Sequence, residues 1–271
     1  MKRALAVAVL LWPSLPSPCR AQEVSGLPLS GEAAETFLKT ARVVHRKGLS
    51  TGITRSDQYT LSDGARTCRA VFKTIDEFKR GLTTFEQGGA ILDFSDSWKH
   101  EVAAYELDKL LGLGLVPPTV ERKLDYETGS LQMWVEGTMT EADRKERKLS
   151  PPDLRAWNLQ VYRLRLLHQL SFNADYRNLR NVLVDASFRV YAIDSSRAFQ
   201  VYADLISEKD LLCFPRAVLE AMKALDRTTL EAKLGRWLDG PKIQTLLKRR
   251  DRILAVAQRR IQEQGEGAVL F

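Results

Sequence analysis

The 271-residue sequence has few cysteines and no long apolar run, and both shortages exclude whole classes of protein. Three cysteines are too few for the disulfide framework of a small secreted domain, so the fold must depend on its hydrophobic core. No run approaches the roughly 18 apolar residues of a membrane-spanning helix. Only 16 glycines and 10 prolines are present, which excludes a collagen-like or low-complexity chain. With 44% hydrophobic and 28% charged residues, the sequence predicts a globular protein of one large domain or two closely packed lobes.

Sequence motifs for several common chemistries are also missing. The chain has no Walker loop, no dinucleotide-binding fingerprint and no Cys/His spacing typical of zinc sites. Its formal charge of +7 comes from basic residues mixed with acidic ones, so no nucleic acid is expected as a partner. The densest basic cluster, between Lys248 and Arg260, falls on a helical pattern and is typical of a solvated helix face. At most one disulfide, between Cys68 and Cys213, is expected in a mature chain.

Residues 1–21 have the organisation of a secretory signal peptide. Two basic residues open the segment, an apolar stretch follows over residues 4–12, and Cys-Arg-Ala at 19–21 forms a small-x-small cleavage site. The pattern predicts cleavage before Gln22, export to the periplasm or the extracellular space, and no transmembrane span after cleavage. Cleavage removes three basic residues and no acidic one, so the formal charge falls from +7 to +4. An uncleaved N-terminal anchor is the alternative.

The hydrophobic pattern changes from strand-like to helical along the chain. Residues 22–40 predict a lead segment and a short helix, and residues 41–137 predict about five antiparallel strands with one helix over 99–111. Residues 138–271 are mainly helical, with a small β-hairpin over 182–193. This order predicts an α+β fold in two lobes, with a small antiparallel sheet and one helix in the N-lobe and a larger helical C-lobe.

Three polar residues interrupt otherwise apolar segments. Lys73 ends a predicted strand, Glu101 opens the helix that follows, and Asp194 comes directly after a short β run. Alone, each has an ordinary explanation, because strand ends are often solvated and a first-turn glutamate complements the helix dipole. Together with Asp175 and Asn181, however, they follow the order of parts in a protein-kinase-like phosphotransferase. A transferring phosphoryl group needs a fixed cation and a metal held by hard oxygen ligands, and these residue types supply both.

A purely structural explanation of the same residues remains open at this point. Asp175, Asn178 and Asn181 could cap turns, which is a common use of short polar side chains. Asp194 could pair with the nearby Arg197. Neither role requires any chemistry.

Three segments carry a resemblance to a known family: Phe72-Lys73, residues 101–119, and Ile-Asp-Ser-Ser-Arg-Ala-Phe at 193–199. They resemble the atypical kinases of the phosphatidylinositol 3- and 4-kinase-like group, and more distantly the HipA-like and secreted atypical kinases, over about residues 42–199. The resemblance implies an exported kinase that moves the γ-phosphate of ATP to a hydroxyl on a protein, lipid or small molecule. ATP and Mg²⁺ or Mn²⁺ would be its cofactors. A pseudokinase, which binds nucleotide or acts as a scaffold without turnover, is the alternative.

The resemblance also implies which residues bind the nucleotide. Lys73 would bind the ATP phosphates, and Glu101 would orient Lys73 by pairing with it. Glu106 is the reserve partner should Glu101 face solvent. Residues 133–137 would form the hinge between the lobes, in which Val135 and Glu136 would bind the cofactor.

For catalysis and metal binding, the resemblance implies Asp175 as the catalytic aspartate and Asn181 with Asp194 as the metal ligands. Five residues separate Asp175 from Asn181, where such kinases have four, so Asn178 competes for the role of metal ligand. The loop that would cover the phosphates, Gly-Leu-Ser-Thr-Gly at 48–52, has only two glycines.

The same loop matches the G-x-S-x-G nucleophile elbow of serine hydrolases. An elbow needs a helix directly after the serine and strands before it, whereas residues 53–61 predict a turn and a strand. His100 and His168 are the conceivable bases, but their positions favour a capping or core role. The sequence therefore disfavours a hydrolase.

Overall fold

The structure is a computed structural model that describes residues 25–49, 56–84 and 90–271. Its strands are β1 (Arg42–Leu49), β2 (Ser56–Ser62), β3 (Thr67–Lys73), β4 (Asp76–Thr84), β5 (Ala90–Ser97), β6 (Thr119–Leu124), β7 (Glu127–Met133), β8 (Met139–Thr140), β9 (Val182–Val184) and β10 (Val190–Ala192). Its helices are α1 (Gly31–Thr40), α2 (Trp98–Leu111), α3 (Glu141–Glu146), α4 (Leu154–Ser171), α5 (Arg216–Ala224), α6 (Arg227–Leu234), α7 (Gly240–Gln264) and α8 (Glu266–Val269). The predicted signal peptide lies outside these residues.

Five antiparallel strands form the main sheet, in the order β1-β2-β3-β7-β6. Alternate residues of β3 are buried, as expected for a sheet that packs one face against a helix. The buried face meets α1 in a core that contains Ala34, Phe37, Leu38, Cys68, Ala70, Phe72 and Leu131. β6 and β7 are joined by Asp125 and Tyr126, both with positive φ, which is the backbone of a tight hairpin turn. The predicted N-lobe of about five strands and the α+β fold class are confirmed.

A second, two-stranded sheet formed by β4 and β5 was not predicted. Its exposed side chains include Phe78, Leu82 and Leu92, so one face of the hairpin has no apolar partner among the described residues. A bulge at Gly81, where φ is +86°, also breaks the alternation of polar and apolar residues. Sequence periodicity detects a strand by its buried face, and this hairpin buries little of its length.

The C-lobe is built around α4, which begins at the predicted N-cap Asp153. A second hydrophobic core surrounds it and takes residues from α2, β9, β10 and α5 to α8. The predicted hairpin over 182–193 is confirmed as β9 and β10, with β8 added at its edge. Arg249 of α7 is fully buried and donates to the carbonyl of Leu170 at 2.7 Å, which fixes the end of α4 just before Asp175.

Several contacts join the two lobes. Gly26 and Glu136 exchange two backbone hydrogen bonds of 2.8 and 2.9 Å, so the N-terminal segment runs along the hinge. Glu121 of β6 accepts bonds from both Arg236 and Trp237 in the turn before α7. The hinge is therefore held by the N-terminal segment, and β6 of the N-lobe is held by the turn before α7. Within the described ranges, no helix has the length and hydrophobicity needed to cross a bilayer.

Two smaller expectations can also be compared with the structure. Cys68 and Cys213 are free thiols, so the single disulfide that the sequence allowed does not form. Gly48 and Leu49 belong to β1, and the rest of the predicted phosphate-covering loop lies outside the described residues.

Candidate active site

Lys73, Glu101 and Asp194 meet between the lobes. The Lys73 Nζ atom lies 2.6 Å from Oε1 of Glu101 and 2.8 Å from Oδ1 of Asp194. The other carboxylate oxygen of Glu101 accepts the backbone N–H of Ser195 at 3.0 Å. One cation thus joins the sheet, the helix and the segment after β10, although the three residues are far apart in sequence.

Local structure explains how each residue reaches this point. Lys73 is the last residue of β3, and a Cβ atom on the neighbouring Gly129 would lie 2.2 Å from the Lys73 carbonyl oxygen, so only glycine allows β7 to approach this strand end. Ser97 caps α2, which places Glu101 in the first turn, on the buried face of the helix. Asp194 has a φ of +58°, a conformation that is unusual for a non-glycine residue and is often found at functional sites.

Burial and charge shift the pKa values of all three groups. Burial alone lowers the pKa of Lys73, but the two carboxylates outweigh it and raise the pKa well above the ordinary value. Burial raises the pKa of Glu101, whose side chain is only 2% exposed. Burial also acts to raise the pKa of Asp194, but attraction to Lys73 exceeds it and the pKa falls. Lys73 is therefore a fixed cation at any physiological pH.

The loop after α4 gathers the predicted catalytic residues. Oδ2 of Asp175 accepts from the side-chain amides of Asn178 at 3.1 Å and Asn181 at 3.0 Å, and the Asp175 N–H donates to Oδ1 of Asn173 at 3.0 Å. Asn178 also caps the short 3₁₀ turn of residues 179–181 through its Oδ1, which accepts from the N–H of Arg180. Both the capping role and the grouping predicted from sequence are present here.

The oxygen atoms of Asn181 and Asp194 fit the demands of a divalent metal. The carbonyl of Asn181 accepts from the N–H of Ile193 at 2.9 Å, so Asn181 and Asp194 lie at the same end of the β9–β10 hairpin. Within the described part of the chain, Oδ1 of Asn181 and Oδ2 of Asp194 have no hydrogen-bond partner, whereas Oδ1 of Asn178 is occupied by its capping bond. No group of three or more His, Cys, Asp or Glu residues suited to a metal occurs in residues 25–49, 56–84 and 90–271. Two ligands suffice for Mg²⁺ when substrate phosphates and water supply the others.

Val135 and Glu136 differ in whether the backbone N–H is free to bind a ligand. The Glu136 N–H and C=O are both bonded to Gly26, and its carboxylate forms an ion pair with Arg69, whose guanidinium also lies over the ring of Trp134. The N–H of Val135, by contrast, has no acceptor in the described ranges. Of the two, Val135 is the one with a backbone donor available.

Two alternatives from the sequence are not what the structure shows. Arg197 does not pair with Asp194, because its Nε donates to Asp96 at 2.9 Å. Glu106 binds Lys109 at 2.8 Å on another face of α2, which leaves Glu101 as the partner of Lys73. The Arg197–Asp96 pair was missed because Asp96 lies on β5, in the region where the sequence predicted no element.

His100 links α2 to the segment after Asp194. Its Nδ1–H donates to the carbonyl of Ser196 at 2.7 Å, and its ring lies 5.8 Å from that of Phe199. Of the two roles expected from the sequence, capping or core, His100 has the core role. Burial lowers the pKa of His100 to about 4, because little water remains to stabilise the charged ring.

We expect His100 to make the protein less stable in mild acid. Its pKa in the folded state lies below its ordinary value of 6.5, so the unfolded chain binds the proton more tightly. The stability that neutral His100 provides is complete above pH 6.5 and is lost as the pH falls towards 4. His100→Asn keeps an N–H donor for Ser196 but does not titrate. Urea unfolding measures how much the free energy of unfolding falls between pH 7 and pH 4.5. This fall should be about 2 kcal/mol smaller in the variant than in the wild type. An equal fall in both proteins would contradict the assignment.

Comparison with solved structures shows that the chain has a kinase-like fold. The chain is similar to Fam20 from hydra, solved with sugar, with a TM-score of 0.65 and 14% identity over 92% of this chain and 95% of that one. It is also similar to the Golgi casein kinase, with a TM-score of 0.61 and 14% identity over 88% and 78%. A third similar structure is the Helicobacter pylori proinflammatory kinase CtkA, with a TM-score of 0.53 and 11% identity over 84% and 98%. No family model matches the chain, and no curated protein matches it in sequence.

Proposed function

We propose that this protein is an exported atypical kinase that transfers the γ-phosphate of ATP to a hydroxyl acceptor. The observation that carries the proposal is the position of Lys73, a buried cation held by one carboxylate from the helix and one from the segment after β10. A lysine fixed in this way between two lobes is the arrangement that positions nucleotide phosphates in kinases. The boundaries we propose are 41–137 for the N-lobe with its hinge and 138–271 for the C-lobe.

Each residue has a separate task in the proposed reaction. Lys73 would bind the ATP phosphates, and Glu101 would hold the ammonium group in place. Asn181 and Asp194 would hold Mg²⁺ or Mn²⁺, which offsets the charge of the phosphates when bound. Asp175 would accept a hydrogen bond from the acceptor hydroxyl and orient it towards the γ-phosphate.

The hinge would recognise the adenine ring through Val135. Its N–H is available within the described residues, and the residue itself is buried, as a donor to a bound base would be. Glu136 would act indirectly, because its backbone is bonded to Gly26 and its side chain to Arg69. The proposed role of Glu136 is therefore to hold the hinge in shape.

A pseudokinase is the second candidate, and one observation favours it. The side-chain amides of Asn178 and of Asn181 both donate to Oδ2 of Asp175. These two hydrogen bonds compete with the one that an acceptor hydroxyl would donate to Asp175. A protein of this kind would bind ATP without transferring phosphate. The Asp175 substitutions discussed below separate the two candidates.

The similar structures and the sequence resemblance suggest which classes of hydroxyl compound to test as the phosphate acceptor. One similar structure was solved with sugar and another is a casein kinase, so sugar and protein hydroxyls are the first acceptors to test. A lipid acceptor would follow from the finer resemblance to the phosphatidylinositol 3- and 4-kinase-like group. These substrates belong to the similar proteins and come to this chain only as candidates.

A transfer assay tests the proposal directly. The mature protein would be incubated with γ-labelled ATP and Mg²⁺ or Mn²⁺, in the presence of casein, oligosaccharides or phosphatidylinositol. Labelled product from one acceptor, absent in an Asp194→Ala control, is the expected result. ATP binding without labelled product, and without release of phosphate to water, would support the pseudokinase instead.

Export predicts a defined N-terminus for the mature chain. Mass spectrometry of the secreted protein should find Gln22 or its cyclised form first, because Ala21 is the small residue that signal peptidase prefers before the cut. Cleavage here would leave Ser25 and Gly26 in place to contact the hinge and the β9–β10 hairpin. A cytoplasmic chain that still begins at Met1 would refute export.

A further inference from the structure

A separate cavity of about 430 Å³ lies behind the loop that carries Asp175. It is lined by residues of α3, α4, β9 and β10, by three residues of the segment 176–179, and by Lys209 and Asp210. Trp157, Val161 and Leu164 of α4 form an apolar wall. None of Lys73, Glu101, Asp194 or Asp175 lines this cavity, whose volume is in the range of small-molecule sites, roughly 300–1,000 Å³.

Among the described residues, several basic side chains that line the cavity have no carboxylate partner, although Arg177 donates to the Tyr176 hydroxyl at 2.9 Å and Arg165 lies over the ring of Tyr162. Arg165, Arg177 and Lys209 line the cavity, and within the described part of the chain none of them lies within ion-pair distance of a carboxylate. Lys145 also lines it, 4.0 Å from Glu141. Four cationic side chains therefore line the cavity, and in the described residues three of them have no carboxylate within ion-pair distance.

Acidic groups do not balance these cations. Glu141 is held by two hydrogen bonds from Arg144, at 2.6 and 2.9 Å, so its charge is already compensated. Asp210 is the remaining carboxylate that lines the cavity. The interior consequently carries net positive charge against an apolar wall.

His168 adds a further polar group to the lining of the cavity. Its side chain is 9% exposed and lines the cavity, yet neither ring nitrogen has a hydrogen-bond partner in the residues that the structure describes. The ring nitrogens are not among the fully enclosed side-chain atoms that lack a partner, so they are accessible from the cavity and can bond to whatever fills it. Burial lowers the pKa of His168 to about 4, and no acidic group counteracts this effect.

We propose that this cavity binds a small organic anion. Its carboxylate or phosphate would meet Arg165 and Arg177, and would accept a hydrogen bond from His168. Its apolar part would pack against Trp157 and Val161. A guanidinium forms strong, paired hydrogen bonds with either kind of anion, and an aromatic wall suits a flat apolar body.

The location gives such a ligand access to the catalytic loop. Tyr176 and Arg177 directly follow Asp175, and both line the cavity. The ring of Tyr176 also lies 6.5 Å from that of His168. An anion bound here would contact the loop at Tyr176 and Arg177. Binding itself does not depend on phosphotransfer and holds for a kinase or a pseudokinase.

Calorimetric titration with naphthalene-2-carboxylate, and with naphthalene-2-carboxamide as its neutral match, tests this site. The mature protein should bind the carboxylate with one-to-one stoichiometry and the amide at least about tenfold more weakly, because only the carboxylate pairs with the cations. Saturating ATP with Mg²⁺ should leave this affinity unchanged, since the nucleotide cleft is elsewhere. Equal affinity for the two probes, displacement by ATP, or no binding up to the solubility limit would each overturn the proposal.

Variants on α4 locate the bound probe. Arg165→Gln should weaken carboxylate binding about tenfold, whereas Arg155→Gln, an exposed position on the same helix away from the cavity, should leave it unchanged. Val161→Trp should fill the space and abolish binding of both probes. Because this larger side chain could disturb folding, Arg165→Gln is the deciding variant: unaltered affinity there would refute the site.

Discussion

Asp175→Asn should reduce phosphate transfer at least about 10³-fold while leaving the affinity for ATP with Mg²⁺ close to that of the wild type. The substitution removes the charge that is proposed to orient the acceptor hydroxyl. It keeps an oxygen atom that can still accept from Asn178 or Asn181, so the loop should retain its shape. Initial rates with labelled ATP, together with calorimetric titration of nucleotide, measure the two effects separately.

Asp175→Ala provides the matched comparison. Without an acceptor at this position, the amide of Asn181 is released, so the proposed metal ligand is no longer held. We expect this variant to lose transfer as well and, in addition, to bind ATP less tightly when Mg²⁺ is present. A wild type and an Asp175→Asn variant that bind ATP equally and both transfer nothing would identify a pseudokinase. Full transfer by Asp175→Asn would remove Asp175 from the mechanism.

The parts of the fold that were predictable are those with one buried face. β2 and β3 of the main sheet bury alternate residues, and α4 begins at a clear cap, so local pattern and tertiary structure agree there. The β4–β5 hairpin failed this test because Phe78, Leu82 and Leu92 are exposed. Which residues of such a hairpin are buried depends on the rest of the fold. Its sequence therefore shows no regular alternation of polar and apolar residues.

The grouping of Lys73, Glu101 and Asp194 was predictable only because their order along the chain matched a known arrangement. Nothing local in the sequence shows that Glu101 rather than Glu106 faces the sheet. The choice follows from Lys73, 28 residues before Glu101 in the chain, whose Nζ lies 2.6 Å from the Glu101 carboxylate. Side-chain direction on a helix is decided by its packing partners, and those come from distant parts of the chain.

The long spacing between Asp175 and Asn181 has a local explanation in the structure. Asn178 caps a 3₁₀ turn over residues 179–181, and this turn brings Asn181 back to within 3.0 Å of Asp175. A 3₁₀ turn rises only about 2.0 Å per residue, so the extra residue is absorbed without moving the amide away. The spacing that made Asn181 doubtful from sequence is compatible with the proposed metal site.

Two kinds of contribution could not be inferred from the sequence: contacts made by backbone atoms, and side chains that line a cavity. The contact of Gly26 with the hinge uses main-chain atoms and leaves no residue-type signal. His168 lies among leucines on α4, which is typical of a core histidine. Only the three-dimensional structure shows that its ring lines a cavity together with Arg165 and Arg177.

Lys73→Met should lower the free energy of unfolding by about 3–5 kcal/mol, in addition to abolishing the binding of ATP. The substitution leaves Glu101, which is only 2% exposed, without its cation and close to the charge of Asp194. An unpaired buried carboxylate is costly because it has lost water without gaining a counter-ion. Urea denaturation monitored by circular dichroism would give the difference.

The loss of stability in Lys73→Met should be largest at alkaline pH. Without Lys73 the pKa of Glu101, already raised by burial, would rise further, so the folded protein would hold a proton that the unfolded chain releases. Stability is then retained near pH 5 and lost as the pH increases through the folded pKa. The difference in free energy of unfolding between the wild type and Lys73→Met should therefore increase from pH 5 to pH 8.

The double variant Lys73→Met with Glu101→Gln separates the ion pair from the volume of the lysine. A neutral glutamine can still accept from the N–H of Ser195 and can donate to Asp194, so at least about 2 kcal/mol of the lost stability should return at pH 8. Binding of ATP should not return, because the cation that faces the phosphates is still absent. Recovery of ATP binding in the double variant would show that Lys73 is structural and that the phosphates bind elsewhere. A double variant no more stable than Lys73→Met would show that Glu101 does not depend on Lys73 for its place in the core.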